Sequence, residues 1–236
     1  MQLLMSTMRS AMERYDMIND GDKIAIGISG GKDSMALLCA LAEMRRFYPK
    51  KYELHAVTID SLFGGIPADY SEIAEMCRRL QVPYTIKKTE LWKIIFEVRK
   101  ESNPCSLCAK MRRGALHDLA KELGCNKIAL GHHMDDAVET FYMNLFQGGN
   151  IGSFQPISYL SRKDLYLIRP MAFTTEKDII RVVNKLGIPI VKSKCPADGC
   201  TERQKVKDML KGFEKDYPSI KKITLGAMQR GHISGW

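Results

Sequence analysis

A six-residue stretch carries the side chains that a phosphate-binding turn needs. It lies between an apolar strand pattern and a helical pattern, and it consists of Ser29, Gly30, Gly31, Lys32, Asp33 and Ser34. Small residues let several backbone N–H groups converge on one anion, and the following helix adds its positive N-terminal end. The stretch is not a Walker A loop, because Asp33 follows Lys32 where that loop has Ser or Thr, and Ile26 stands at its first glycine. A carboxylate beside phosphate predicts that magnesium lies between them.

A second polar segment, GHHMDDAVETF, begins at Gly131 directly after another predicted strand. Asp135 and Asp136 fall at the N-terminus of the predicted helix. Carboxylates at that position either hold magnesium or cap the helix and interact with its dipole. His132 likewise allows a structural role or a ligand-binding role.

The seven cysteines form two groups. Cys39, Cys77 and Cys125 lie within apolar patterns and are expected to pack as small hydrophobic residues. The other four lie in polar, turn-rich stretches: Cys105, Cys108, Cys195 and Cys200. The first pair has the C-x-x-C spacing of a redox dithiol, a zinc site or an iron–sulfur site. The C-x4-C spacing of the second pair suits zinc less well, and three thiolates on a cubane cluster would leave one iron open for catalysis.

Alternating strand and helix patterns predict an α/β fold with a parallel sheet and right-handed crossovers. Strands are expected at 23–29, 53–60, 83–88, 126–131 and 165–170. Helices are expected after the glycine turn and at 2–18, 68–80, 106–123, 132–147, 175–186, 201–217 and 219–229. The glycine turn, Asp60 and the GHHMDD segment would meet at the carboxyl edge of the sheet, where ligands bind. We expect one domain over residues 1–236, with a helical C-terminal extension from about 192 to 236.

The charge distribution predicts a polyanionic partner. The chain has 36 basic and 27 acidic residues, a formal net charge of +9. Residues 87–113 hold eight basic and three acidic side chains, and residues 192–222 hold nine and five. These windows contain the four unusual cysteines and favour nucleic acid binding, although a solvated lysine-rich face would give the same counts. No apolar run reaches the length of a membrane span and no signal-peptide pattern is present, so a cytoplasmic protein with reduced thiols is expected.

Residues 29–34 resemble the PP-loop of the N-type ATP pyrophosphatases. GHHMDDAVETF is similar to the G-H-[HN]-x-D-D segment of the tRNA-modifying branch of that superfamily. Together with CSLCAKMRRG, IRPM and CPADGCTERQKVKDML, these segments resemble the tRNA 2-thiocytidine synthetase family over residues 19–229. The resemblance implies a Rossmann-like, adenine nucleotide alpha hydrolase-like sheet flanked by helices. It also implies three cofactors, namely ATP, Mg²⁺ and a [4Fe-4S] cluster.

The same resemblance implies a role for each matching residue. The expected ATP-binding residues are Ser29, Gly30, Gly31, Lys32, Asp33, Ser34, Asp60, Gly131 and His132. The expected catalytic residues are Lys32, Asp33, Arg112 and Asp136, and the expected magnesium ligands are Asp33, Asp135 and Asp136. The expected cluster ligands are Cys105, Cys108 and Cys195, with Cys200 as an alternative third or fourth ligand. Arg112 and Arg113 would contact phosphates or polarise the base, unless they are solvent-facing charges on a helix.

The implied reaction is ATP-dependent thiolation of tRNA by a sulfurtransferase. O2 of an anticodon-loop cytidine, at position 32, is adenylated with release of pyrophosphate, and sulfur delivered by the cluster then replaces it with release of AMP. The base must leave its stack to reach such a site. Expected partners are tRNA, a sulfur donor such as a cysteine desulfurase, and a second copy of the chain in a homodimer, with no membrane. Three alternatives stay open: a tRNA lysidine synthetase-like enzyme, a sulfurtransferase for another tRNA base or a small molecule, and a non-catalytic zinc- and nucleotide-binding module.

Overall fold

The structure is a computed structural model that describes residues 1–98, 104–191 and 202–236, without the side chains of residues 96–98, 104 and 105. Six strands form one sheet. They are β1 (Asp22–Gly27), β2 (Tyr52–Asp60), β3 (Tyr84–Lys88), β4 (Lys127–Ala129), β5 (Ile157–Leu160) and β6 (Leu165–Ile168). Their order across the sheet is β3-β2-β1-β4-β6-β5. The predicted Rossmann-like α/β fold is confirmed.

One strand departs from the expected all-parallel sheet. β5 pairs antiparallel with β6, while the other four pairings are parallel. The sequence analysis missed β5 because its four residues, ISYL, mix polar and apolar side chains and none of them is fully buried. A short, half-exposed edge strand lacks the continuous apolar run that marks a buried parallel strand.

Eight α-helices flank the sheet in the described part of the chain. They are α1 (Gln2–Arg14), α2 (Lys32–Met44), α3 (Ser71–Arg79), α4 (Pro104–Glu122), α5 (Met134–Gly148), α6 (Glu176–Leu186), α7 (Glu202–Asp216) and α8 (Ile220–Arg230). A π-helical segment, Lys93–Val98, and two short 3-10 turns, Phe63–Gly65 and Ile233–Gly235, complete the elements. None of the described helices is long and apolar enough to span a membrane.

The sheet separates two apolar clusters. On one face α1, α2 and α6 pack together, and α2 is buried almost all round because its sequence, KDSMALLCALAEM, is apolar on every side after the first turn. On the other face α4 packs against β2 and β4. The C-terminal helices α7 and α8 contact α5 and each other. Both faces of the central strand β1 are therefore covered, as a parallel sheet requires.

Local capping residues set where the helices at the carboxyl edge begin. Thr175 caps α6, because its Oγ1 accepts the N–H of Asp178 at 3.1 Å, so the helix expected over 175–186 begins directly after it. His132 and His133 were expected inside a helix, but α5 begins at Met134. His133 is instead its N-cap: its Nδ1 accepts the N–H of Asp136, whose carboxylate accepts the N–H of His133. This reciprocal capping box satisfies two backbone donors that would otherwise lack partners.

Candidate active site

The glycine turn joins β1 to α2 in a conformation that only glycine adopts easily. Gly30 has φ +85°, and a Cβ at this position would lie 3.0 Å from Cβ of Val191. The hydroxyl of Ser34 stabilises the turn from within. Ser34 Oγ donates to the carbonyl of Gly31 at 3.0 Å and accepts the N–H of Ser29 at 3.2 Å. Gly31 is the N-cap of α2, so the turn presents the positive end of that helix.

The GHHMDD segment lies directly against this turn. A Cβ on Gly131 would stand 3.0 Å from the backbone of Asp33 and Ser34. Glycine is therefore required at Gly131 by the close approach of two backbones rather than by an unusual φ. The predicted meeting of the two segments at one sheet edge is thus observed.

His133 brings two predicted magnesium ligands together. Its Nε2 lies 3.7 Å from Asp33 Oδ1 and 3.4 Å from Asp136 Oδ2. Asp33 Oδ1 is buried and has no hydrogen-bond partner among the described atoms. A buried carboxylate oxygen left in this state fits a cation. No group of three or more metal-ligating side chains is found within residues 1–98, 104–191 and 202–236, and Mg²⁺ commonly uses only one or two carboxylates with substrate phosphates.

Asp135, the third expected magnesium ligand, binds other protein groups through both of its carboxylate oxygens. It is buried, its Oδ1 accepts from Lys221 at 2.9 Å, and its Oδ2 accepts the N–H of Glu176 at 2.7 Å. The carboxylate therefore fastens α5 to the first turns of α6 and α8. This arrangement matches the structural role that the sequence left open.

Lys32 forms an ion pair with Glu176, a residue that was not predicted from the sequence. Its Nζ lies 3.1 Å from Asp33 Oδ2 and 3.0 Å from Glu176 Oε1. Glu176 also accepts from Lys207 of α7 at 2.6 Å. Burial opposes ionisation of Glu176, but Lys207 and Lys32 outweigh it and lower its pKa to about 2. Burial opposes the charge on Lys32, and the two carboxylates together raise its pKa.

Asp60 lies at the predicted edge, at the end of β2. Its Oδ1 accepts the N–H of Leu62 at 3.0 Å and its Oδ2 accepts the N–H of Ala68 at 3.3 Å. The buried carboxylate thus organises the loop that follows β2. Asp60 therefore acts at the carboxyl edge of the sheet through the conformation of that loop.

A cavity of about 480 Å³ opens at the carboxyl ends of β1, β2, β4 and β6. Its lining includes Ser29 of the glycine turn, His132 after β4, and no acidic residue among those described. Four arginines also line it: Arg112 and Arg113 of α4, Arg169 after β6, and Arg203 of α7. Arg112, predicted from its motif, is thus beside the glycine turn and not on an outer face. Four arginines and no acid among the described lining residues favour an anionic ligand.

Arg203 links this cavity to the aspartates. Its Nη1 lies 2.9 Å from Asp136 Oδ1 and 3.6 Å from Glu139 Oε2, and its Nη2 donates to Thr140 Oγ1 at 3.1 Å. Burial, followed by repulsion from Asp136, raises the pKa of Glu139 to about 7 despite Arg203. Arg203 therefore ties the start of α7 to α5.

His132 and Arg169 contact each other at the cavity wall. Arg169 Nε donates to His132 Nδ1 at 3.3 Å, and the guanidinium lies 4.9 Å from the ring centre of Phe154. Burial, then the charge of Arg169, lowers the pKa of His132 to about 4. Burial, then the charge of Arg113, lowers the pKa of Arg169 to about 10. At neutral pH the imidazole is uncharged and the guanidinium is charged.

The cysteines differ in their surroundings as expected. Cys39, Cys77 and Cys125 are buried, and burial raises the pKa of Cys39 and Cys77 to about 11. Cys108 is only half-buried and precedes Ala109, which lines the cavity. The side chain of Cys105, and Cys195 and Cys200 altogether, lie outside the described residues. A half-buried thiol, four residues before Arg112 of the cavity lining, fits a cluster ligand better than a buried one.

The residues that the sequence analysis missed are mostly partners of residues that it found. They are Glu139, Arg169, Glu176, Arg203, Lys207 and Lys221. Arg169 and Arg203 stand inside the IRPM and CPADGCTERQKVKDML segments, so their motifs were a usable signal. Glu176 and Lys221 lack such a signal, because only the fold brings them to Lys32 and Asp135.

Comparison with known proteins gives one family and several relatives. The PP-loop domain family matches residues 4–211. The chain is 40% identical over 225 residues to a tRNA-cytidine(32) 2-sulfurtransferase of Citrifermentans bemidjiense, covering 94% of this chain and 88% of the relative. A 2-sulfurtransferase of the same name from Pelobacter propionicus is 38% identical, covering 94% and 83%. A solved structure, the U34-tRNA thiolase NcsA from Methanococcus maripaludis with its [4Fe-4S] cluster, is similar in fold, with a TM-score of 0.76, 24% identity, and coverage of 95% and 77%.

Proposed function

Because this chain belongs to the PP-loop domain family and, within it, to the tRNA-cytidine(32) 2-sulfurtransferases, we propose that it replaces O2 of cytidine 32 in tRNA by sulfur, using ATP. One observation carries the proposal. Ser29 of the PP-loop, Arg112 just after Cys108, and His132 of the GHHMDD segment all line one cavity. A nucleotide and an extruded base can therefore meet beside a cysteine of the C-x-x-C pair. The relatives named above are 2-sulfurtransferases, which favours sulfur transfer over lysine attachment.

The PP-loop holds the pyrophosphate part of ATP. Backbone N–H groups of Gly30 and Gly31 and the N-terminus of α2 face the phosphates. Lys32 adds a charge that Asp33 and Glu176 keep protonated and in place. As negative charge moves onto the departing pyrophosphate, these fixed donors stabilise it without rearrangement.

Asp33 would hold magnesium, and Asp136, whose Oδ2 lies 3.4 Å from the same His133 Nε2, is the second predicted ligand. The unpartnered Oδ1 of Asp33 supports this assignment. When bound, Mg²⁺ neutralises phosphate charge. We assign Asp135 to the support of α6 and α8, because Lys221 and the N–H of Glu176 occupy its oxygens and its side chain is only 7% exposed. The oxygens of Asp136 also have partners, in Arg203 and the N–H of His133, but its side chain is 20% exposed.

The base side of the reaction uses the arginines. O2 of cytidine forms a bond to the α-phosphorus and the bond to pyrophosphate breaks. Arg112 and Arg113 bind phosphates near the reacting atoms, since both line the cavity and no acidic residue is among its described lining residues. Sulfur then bonds to C2, and AMP leaves with the former O2.

Cys105, Cys108 and Cys195 would hold a [4Fe-4S] cluster, with Cys200 as the alternative third or fourth ligand. When bound, this cluster supplies the sulfur that replaces O2. The connectivity of the chain supports the assignment. Val191 is hydrogen-bonded to Gly30, Cys195 follows it by four residues, and four residues reach at most about 14 Å. The sulfur donor, the homodimer, the domain boundaries and the cytoplasmic location stay predictions.

The proposal is tested by nucleoside mass spectrometry of tRNA from a strain that lacks this protein. We expect 2-thiocytidine to disappear and to return when the wild-type gene or a Cys77→Ala variant is supplied. Cys77 is the matched control because it is buried away from the cavity. Cys108→Ala should fail to restore the nucleoside. Persistence of 2-thiocytidine in the deletion strain would contradict the proposed substrate.

A further inference from the structure

Arg169 is buried without a carboxylate partner among the described residues. It is 7% exposed, and its Nη1 donates to the carbonyl oxygen of Gln155 at 2.5 Å and to Ser158 Oγ at 3.4 Å. Its Nε donates to His132 Nδ1. Buried arginines are usually paired with acids. Here the guanidinium is instead fixed by a carbonyl, a hydroxyl, an imidazole and the face of Phe154, so its orientation is set by neutral groups.

The contact with Arg169 decides where His132 carries its proton. A guanidinium can only donate, so Nδ1 of His132 must accept and bears no hydrogen. A neutral imidazole with a bare Nδ1 is protonated on Nε2. Nε2 has no hydrogen-bond partner within the part of the chain that the structure describes, and His132 lines the cavity. The ring therefore offers the cavity one uncharged N–H donor.

The wall around His132 suits a neutral ring more than a phosphate. Phe154 lies 5.1 Å from the imidazole, ring centre to ring centre. Leu116, Leu130 and Leu167 also line the cavity. Phosphate groups have stronger partners in Arg112, Arg113 and Arg203. An aromatic and aliphatic wall with a single donor matches the edge of a nucleobase.

We propose that Arg169 is a positioning residue that fixes His132 as the Nε2–H tautomer, and that His132 reads the acceptor edge of the cytosine to be thiolated. This proposal rests on the proposed function, because it takes cytosine as the substrate. N3 of cytosine accepts a hydrogen bond, whereas N3 of uracil carries a hydrogen. A fixed N–H donor would therefore form a hydrogen bond with N3 of cytosine. With uracil it would face the N3–H group, and such an N–H to N–H contact discriminates strongly against uracil.

The tautomer is tested first by nitrogen-15 NMR of histidine-labelled full-length protein. The chain has five histidines, and the His132 signal is identified by its loss in His132→Gln. We expect the Nε2–H pattern in the wild type and in Arg169→Lys, which keeps a charged donor. Arg169→Met should release the ring to a mixture of tautomers, while His232→Gln, an exposed control, should leave the His132 signal unchanged. An Nδ1–H pattern in the wild type, or an unchanged pattern in Arg169→Met, overturns the role of Arg169.

Base reading is tested by binding of anticodon stem-loops that differ only in C32 or U32. We expect the wild type and His232→Gln to prefer C32. His132→Ala and Arg169→Met should lower that preference by about 10-fold or more, because one buried hydrogen bond is lost. His132→Gln should retain part of it, since its amide N–H reaches a similar position. If His132→Ala keeps the wild-type preference for C32, or loses only affinity for ATP, the proposal that His132 reads the base is overturned. Failure of the wild type to bind either stem-loop overturns the proposed function instead, and the NMR result separates the two.

Discussion

The backbone N–H of Val191 donates to the carbonyl oxygen of Gly30 at 3.0 Å. This bond ties the PP-loop to the residue from which the chain continues toward Cys195. On the other side of that segment, Arg203 binds Asp136 at 2.9 Å. The glycine turn and Asp136 are therefore each bonded to a residue near one end of residues 192–201. We expect changes at these two attachments to affect nucleotide binding and cluster binding together.

Gly30→Ala tests the first attachment. The substitution combines a left-handed φ of +85° with a 3.0 Å contact to Val191. We expect a loss of stability of about 1–2 kcal/mol from the backbone conformation alone, and loss of the thermal stabilisation that ATP gives to the wild type. Thermal unfolding with and without ATP measures both. Gly212→Ala is the matched control: it lies in α7 with nothing within 4 Å, and should be slightly stabilising. Full ATP-induced stabilisation of Gly30→Ala would contradict the arrangement.

Two substitutions should separate magnesium binding from the structural support of α6 and α8. They are Asp33→Asn and Asp135→Asn. Asp33→Asn removes the negative charge of the carboxylate whose Oδ1 is unpartnered, so we expect magnesium-dependent AMP formation to fall by about 100-fold while the fold is kept. Asp135→Asn breaks the ion pair to Lys221, so we expect a loss of stability of about 1–3 kcal/mol with AMP formation retained. Chemical denaturation and AMP release at several magnesium concentrations measure the two effects. The reverse pattern would return Asp135 to the magnesium site.

Glu176→Gln should show a defined pH dependence. The pKa of Glu176 is about 2, below its usual 4.5, because of Lys207 and Lys32. A lowered pKa contributes stability that is present above pH 4.5 and is lost as the pH falls toward 2. We therefore expect Glu176→Gln to be less stable than the wild type at pH 7, with the difference shrinking between pH 4.5 and 2. Glu122→Gln, which breaks only an exposed pair with Lys87, should cost less than about 1 kcal/mol. A difference independent of pH would exclude the charge of Glu176 as its cause.

Glu139→Gln should change the stability at high pH in the opposite direction to Glu176→Gln. Burial, then Asp136, raises its pKa to about 7 from 4.5. A raised pKa contributes stability below pH 4.5 that is lost as the pH rises through 7. We expect Glu139→Gln to match the wild type near pH 4.5 and to exceed its stability at pH 8. Urea unfolding at the two pH values measures this. A variant less stable than the wild type at pH 8 would show that the pair with Arg203 outweighs the burial of the charge.

Local sequence patterns predicted the elements that carry the site. The glycine turn, the Thr175 cap and the end of α5 at Gly148 follow from residue types within one or two turns of chain. The strand β5 and the N-cap role of His133 did not follow. β5 has no buried face of its own, and His133 takes the place of the usual capping residues Ser, Thr, Asp or Asn.

Contacts between distant segments could not be read from the chain. Motifs placed Lys32, Asp33 and Asp136 near one edge, but Glu176 reaches Lys32 only because α6 packs against α2. The same holds for Lys221, which reaches Asp135 through the packing of α8 on α5. Asp135 and Asp136 are neighbours with similar sequence signals and each has two partners in the fold, and only the fold shows that Asp135 is the more deeply buried of the two.

The most direct test of the central claim is mass spectrometry of an anticodon stem-loop after reaction with purified, cluster-reconstituted protein, ATP, Mg²⁺ and sulfide. We expect one sulfur in place of one oxygen, located at C32, with one AMP released for each sulfur incorporated and no product from Cys108→Ala. Sulfur incorporated without AMP release, sulfur at another nucleotide, or equal product from Cys108→Ala would contradict it.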